Sequence, residues 1–226
     1  MHKYTYDGEP FISVTKFIQQ FHKPFEQDYW SKKKADEAGI SQELILNEWK
    51  KINDYANEVG TDTHQWIEDY FNKTWKPIPL NFDVLHRINK FNHIYAKFLY
   101  KLEPLKSEVR VFSKKWKIAG MIDALFVYRG KIYIIDYKTN KLFTTDENIR
   151  YPEKLLYPFS NFTKTHLSEY SIQISMYALI LQEWGFNVAG GYILHIGPDD
   201  DDAKLYKCID MTGILKKYLD ENQNHF

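Results

Sequence analysis

Cysteine is almost missing from this chain of 226 residues: Cys208 stands alone. A single thiol excludes an intrachain disulfide and excludes any four-cysteine zinc or iron–sulfur site. Net charge is missing too, because 30 Lys and Arg are matched by 30 Asp and Glu. Binding to nucleic acid would then have to come from a local patch rather than from a basic molecule as a whole, which argues against wrapping a long duplex. No apolar run approaches membrane-spanning length. The opening stretch MHKYTYD lacks the apolar segment of a signal peptide and the Arg- and Ser-rich character of a transit peptide. The expectation is a protein without membrane attachment in a reducing compartment, the cytoplasm of a bacterium or of a phage-infected cell. Repeats and low-complexity linkers are also lacking, so one domain over residues 1–226 is expected. At 44% hydrophobic and 17% aromatic residues the chain can bury one full core and is short for two.

What is present divides into two halves. Residues 1–101 read mainly as helix, with apolar residues at helical spacing over roughly 13–21, 41–59, 61–73 and 82–101 and Ser13 and Ser41 as N-caps. Residues 102–226 open with strands at about 106–113, 117–128 and 131–138. An irregular stretch, a helix at about 166–184, strands near 188–196 and 203–209 and a helix near 211–221 follow. Consecutive strands followed by helix and strand imply an α/β architecture, a mixed sheet with helices on both faces.

The chemistry concentrates in the segment from Ile118 to Thr139. Asp123 and Asp136 each end an apolar run of strand character, and a turn at Arg129–Gly130 would lay those strands side by side, so the two acids should converge. In Asp136-Tyr137-Lys138 the period of two puts Asp and Lys on one face while Tyr137 points away. Two carboxylates and an amine would meet at one point. Carboxylate oxygens are the hard ligands that Mg²⁺ or Mn²⁺ takes, and a lysine beside the metal can orient a water. Asp-x-Lys alone occurs by chance. Here, however, Asp136 ends the near-continuous apolar run Ile132 to Ile135, typical of a strand covered on both faces, and a charge there is costly unless paired or metal-bound.

These residues resemble the PD-(D/E)xK nuclease superfamily in its RecB-like branch, and are most similar to mitochondrial genome maintenance exonuclease and related phage and bacterial exonucleases. The ordered motifs are GTDTHQWIE over residues 60–68, Glu108 before the Asp123 strand, Gly120-Met-Ile-Asp123, Asp136-Tyr-Lys138-Thr139, and Gln173-Ile-Ser-Met-Tyr177. They cover roughly residues 10 to 197. The resemblance implies a restriction-endonuclease-like fold and Mg²⁺ or Mn²⁺ bound by Asp123, Asp136 and the Tyr137 carbonyl, with Lys138 positioning the attacking water. It also implies that His64 reaches the metal, where the residues alone would leave a helix-face histidine satisfied by a neighbour. Several relatives carry an iron–sulfur cluster, which this chain cannot.

Other candidates keep two readings. Glu68, one turn beyond His64, would either orient it or solvate the helix. Glu108 is either an edge-strand charge or a participant at the metal. Gln173 and Tyr177 share one helix face, and the family pattern makes them candidates for holding the DNA backbone or positioning Lys138. Lys32, Lys33 and Lys34 lie beside Phe25, Tyr29 and Trp30, and Lys114 to Lys117 repeat the mix; both suit single-strand binding or are solvated turn charges. The run Asp199 to Asp202 lacks a calcium-loop pattern and reads as an exposed loop.

The expected function is a metal-dependent DNA exonuclease acting on single-stranded or free-ended DNA, with residues 1–101 as a helical cover over the nuclease core 102–226 that admits one strand. The rivals are an endonuclease or RNA-acting nuclease of the same fold, and a non-catalytic DNA-binding accessory subunit.

Overall fold

Alternation in the middle of the chain builds a sheet, and the apolar helices on either side of it in sequence close over its two faces. The structure is a computed structural model that describes residues 4–74, 76, 77, 79–199 and 201–222. The first three residues of the opening stretch and Asp200 of the acidic run lie outside the described residues.

A hairpin of β1 (Tyr4–Tyr6) and β2 (Glu9–Ser13) comes first, followed by α1 (Val14–Ile18), α2 (Gln27–Ala38), α3 (Gln42–Asn72) and α4 (Phe82–Lys97). Three long strands follow, β3 (Glu103–Ser113), β4 (Ile118–Tyr128) and β5 (Lys131–Lys138). The chain ends in α5 (His166–Glu183), β6 (Val188–His195), β7 (Lys204–Lys207) and α6 (Thr212–Glu221). The seven strands form one mixed sheet: β4 and β5 are antiparallel, β5 and β6 parallel, and β2 runs parallel to β4. Helices α1, α5 and α6 cover one face through Phe17, Ile172, Ile180 and Leu215. Helices α3 and α4 cover the other through Ile67, Phe91 and Ile94. A mixed sheet flanked by helices, with a helix-rich N-terminal half, is thus the observed fold class.

Two features of β4 position the site. Its second edge is shared, because β2 pairs with Ile118 and Ala119 while the ladder with β5 begins only at Ala124. Residues 120–123 lie in the gap between them. Alternation also breaks at Asp123: Ile118, Ile122 and Leu125 face the α1/α5 side, whereas Ala124 and Phe126 face α3/α4. The register with β3 nevertheless runs unshifted from Ser107–Ala124 to Ser113–Ile118, so no residue is inserted and the break falls opposite Glu108. On the neighbouring β3, Glu108 has φ +50° in the register position flanked by the Ser107–Ala124 and Val109–Ile122 pairs. A left-handed non-glycine residue inside a strand costs on the order of 1 kcal/mol or more and is held there by its surroundings.

The N-terminal half departs from the sequence reading in three ways. The β1–β2 hairpin was not anticipated, nor was α2. The break expected at Gly60 is absent, and α3 runs unbroken for 31 residues, Gly60 included. Ser41 caps it as expected, its side chain accepting from the Leu44 amide.

Candidate functional site

Asp123, Asp136 and Lys138 meet where β4 and β5 part. Asp123 Oδ2 accepts the backbone N–H of Tyr137 at 2.7 Å, so it closes the ladder in place of a main-chain carbonyl. Asp136 is 2% exposed. Its Oδ2 lies 2.5 Å from Lys138 Nζ, an ion pair without hydrogen-bond alignment. Its Oδ1 accepts from Gln173 Nε2 of α5 at 3.1 Å. Burial pushes the Asp136 carboxyl above the usual carboxylate range, against the pull of Lys138. For Lys138, burial works to lower the amine, but Asp136 and Asp123 together hold it above its ordinary value. The Lys138 ammonium also lies 4.5 Å from the centre of the Tyr170 ring. Tyr170, Gln173 and Tyr177 fall at i, i+3 and i+7 on α5, and that spacing is the signal from which Tyr170 was readable in the sequence.

Gln173 and Tyr177, the candidates for holding the DNA backbone or positioning Lys138, lie beside the carboxylate–amine pair. Both are buried, at 7% and 3% exposure, and the Gln173 amide donates to Asp136 and to the Tyr177 hydroxyl at 3.2 Å. Gln173 thus reaches the Asp136 carboxylate, and Tyr177 stands behind Gln173. The glycine of the Gly-Met-Ile-Asp motif explains how the tyrosine fits. A Cβ on Gly120 would lie 2.7 Å from Tyr177 Cε1 and 3.1 Å from a Val14 methyl. Gly120→Ala is therefore expected to destabilise the fold by about 1–3 kcal/mol through overpacking. Thermal melting checks this, and an unchanged midpoint would remove the contact.

His64 arrives from the other face of the sheet. Its Nδ1 stands 3.6 Å from Asp123 Oδ2, and its ring meets that of Tyr137 edge-on at 5.7 Å. One turn earlier, a Cβ on Gly60 would lie 2.9 Å from Thr139 Oγ1. The glycine lets α3 lie against the end of β5, and this brings His64 to the carboxylates. Glu68 does not orient His64; its oxygens accept from Gln65 at 3.0 Å and Asn72 at 3.3 Å. It lines, with His64, Glu108, Asp123 and Thr139, a cleft of about 480 Å³. Burial, and then the Asp123, Glu68 and Asp136 carboxylates, push Glu108 up to about 7. The Glu108 carboxyl therefore lies within the field of both aspartates, with Arg110 acting the other way.

The basic aromatic segment is not brought to this cleft. Trp30, Lys32, Lys33 and Lys34 lie on α2, which packs on the start of α3: Gln42 Nε2 bonds Ser31 Oγ at 2.9 Å, and the Lys34 ammonium lies 5.8 Å from the Trp49 ring. From Trp49 to His64 is about 22 Å along the helix axis. In the second basic run, Lys115 and Lys117 are paired with Asp220 and Glu9. The acidic loop is tied to α4, with Asp202 3.0 Å from His93 and 3.1 Å from Lys97.

Among the described residues, no three His, Cys, Asp or Glu side chains are gathered tightly enough to hold a metal ion as they stand. The chemistry of the donors nonetheless fits a hard divalent cation. Carboxylates of Asp123, Asp136, Glu108 and Glu68 crowd a region where Lys138 faces the aspartates and Arg110 acts on Glu108, and Asp136 Oδ2 is buried without a hydrogen bond. The amine on that oxygen is where a ligating atom would have to be released. No helix among the described residues is long and apolar enough to cross a membrane.

No protein-family model and no curated protein matches the sequence. Among solved structures, the chain is similar to a candidate exonuclease from Eubacterium rectale, at 14% identity and TM-score 0.49, over 75% of this chain and 65% of that one. It is also similar to the protein SSO0001, at 16% identity and TM-score 0.31, over 73% of each chain. Likenesses at this level carry no argument about activity.

Proposed function

We propose that the protein is a metal-dependent deoxyribonuclease of exonuclease character, hydrolysing phosphodiester bonds in single-stranded or free-ended DNA. The observation that carries this reading is the convergence of Glu108, Asp123, Asp136 and Lys138 from three adjacent strands, with His64, at the break in β4. Asp123, Asp136, Glu108 and His64, with the Tyr137 carbonyl, are the groups that would hold Mg²⁺ or Mn²⁺. Once bound, the ion would supply Lewis-acid stabilisation of the charged in-line transition state. Lys138 Nζ, freed from Asp136, positions the attacking water and offsets charge on the phosphate. Gln173 keeps Asp136 in place, and Tyr170 gives the freed ammonium a second resting face. The α2 lysines and Trp30, if they hold DNA, do so far from the reacting phosphate.

The test compares an end-labelled linear single strand with a covalently closed single-stranded circle, each with Mg²⁺ or Mn²⁺. Digestion of the linear strand with the circle intact is the expected result. Cutting of the circle would move the reading to an endonuclease, and inertness towards both would refute it.

A further inference from the structure

A second cleft, of about 730 Å³, shares Glu68, Glu108 and Met121 with the one that holds His64 and Asp123, so the two adjoin as one depression. Its floor is β3. Val109 and Val111 turn into the core beneath α5, which leaves Arg110 and Phe112 on the outer face, in line with Glu108. The span from Glu108 to Phe112 is about 13 Å at strand spacing. At the far end the β1–β2 hairpin supplies a wall of rings: Tyr6 stacks on Phe112 at 5.0 Å and 27°, and Phe11 meets Phe112 edge-on at 6.2 Å. The Lys114 ammonium sits 4.1 Å from the centre of the Tyr6 ring. Arg110 is exposed, and among the described residues it forms no ion pair within 4 Å.

We infer that this groove holds the stretch of single-stranded DNA next to the scissile phosphate, Arg110 taking a phosphate and the Tyr6–Phe112 stack taking a base. The inference rests on the nuclease reading of the adjoining cleft. A guanidinium between an acidic centre and a ring stack is the pairing a single strand requires, because each nucleotide offers an anion and a π-face at a regular interval. A duplex offers its bases only edge-on, so a ring stack cannot use them. Continuity through Glu108 fixes the direction. A phosphate at Arg110 lies two residues along β3 from Glu108, so the strand it belongs to leads into the carboxylates. The acidic groups at one end and the cations at the other also forbid the reverse arrangement, with the reacting phosphate at Phe112.

The experiment measures binding of a fluorescently labelled single-stranded 12-mer in EDTA, and steady-state cleavage with Mg²⁺, for the full chain. Arg110→Ala is expected to weaken binding about five- to tenfold, to raise KM by a similar factor and to leave kcat within about twofold. The slope of log affinity against log salt should fall by about 0.7, the value of one phosphate contact on a single strand. Arg110→Lys should restore most of the affinity, and Arg110→Glu should lose more than alanine does. Phe112→Leu, which keeps apolar packing against the hairpin, should cost at least about fivefold in affinity without changing the salt slope. If the parent protein cuts DNA while the Arg110 and Phe112 variants bind and cut as it does, the groove assignment falls and the nuclease reading stands. Loss of binding in those variants of a protein that never cuts would uphold the groove and overturn the nuclease. A parent that neither binds nor cuts overturns both.

Discussion

Asp136→Asn is expected to lower DNA cleavage by at least about a hundredfold while leaving the fold in place, because it removes a buried charge on which two functions depend. The carboxylate is a candidate metal ligand, and it is also the counter-ion of Lys138, 2.5 Å from Nζ. Asparagine keeps an oxygen to accept from Gln173 but turns an N–H group towards the lysine, so the amine loses its rest position. The cost to stability should be small. A buried carboxylate is itself expensive, and the Lys138 side chain, 20% exposed, can turn to the cleft. Asp123→Asn and Lys138→Ala should lose a comparable factor, by removing a ligand and the group that positions the water. DNA affinity should fall less in all three. Single-turnover cleavage of an end-labelled strand, with circular dichroism to verify folding, is the measurement. Parental turnover in any folded variant would remove that residue from the site.

EDTA is expected to abolish cleavage and Mg²⁺ or Mn²⁺ to restore it, with a second signature that needs no substrate. Glu108, Asp123, Asp136 and Glu68 repel one another in a partly dehydrated cleft, and Glu108 is driven up to about 7 by burial and these neighbours. A divalent cation relieves that repulsion only in the folded chain. At a hundred times its dissociation constant it should add about 2.7 kcal/mol, or roughly 5–10 °C in melting midpoint for a chain of this length. Asp123→Asn should shrink this shift, and His64→Ala should weaken metal binding more than DNA binding, as expected of a group that completes the ligand set. A midpoint indifferent to either metal in the parent protein would rule out a metal site here.

The central motif was legible because its determinants are local. The run Ile132 to Ile135 ending in Asp136, the turn at Arg129–Gly130 and the partner run ending at Asp123 all lie within 22 residues, and β5 falls on the residues the pattern predicts. The β1–β2 hairpin went unread although Asp7-Gly8, both at positive φ, is its local turn signal; its place in the sheet was not legible. It is held there by a two-residue parallel pairing with β4 and by the packing of Tyr6 and Phe11 on Phe112, all about a hundred residues later, and loop closure over that distance leaves no periodic trace. Gly60 misled for a related reason. A glycine in a helical pattern reads as a break, but its purpose is clearance for Thr139, a neighbour distant in sequence. The burial of Gln173 and Tyr177 was hidden because α5 is buried nearly all round, so no polar face marks which side meets the sheet. Arg110 escaped notice since one cation among strand residues carries no pattern until the ring stack beside it is seen.

Helix α3 is fixed unevenly along its length. Between Ile45 and Val59 none of its residues is buried, whereas from Val59 onwards it is clamped by α4 and by the contact of Gly60 with Thr139. Mechanically it is a cantilever, clamped near His64, with α2 as a load at its free end. Gln42 lies about 27 Å from Gly60 along the axis and His64 about 6 Å. A tilt that swings the free end by 2 Å about that clamp, about the size of an ordinary loop motion, would shift His64 by less than about 0.5 Å. The α2 end can flex against whatever it meets while the imidazole keeps its alignment with Asp123.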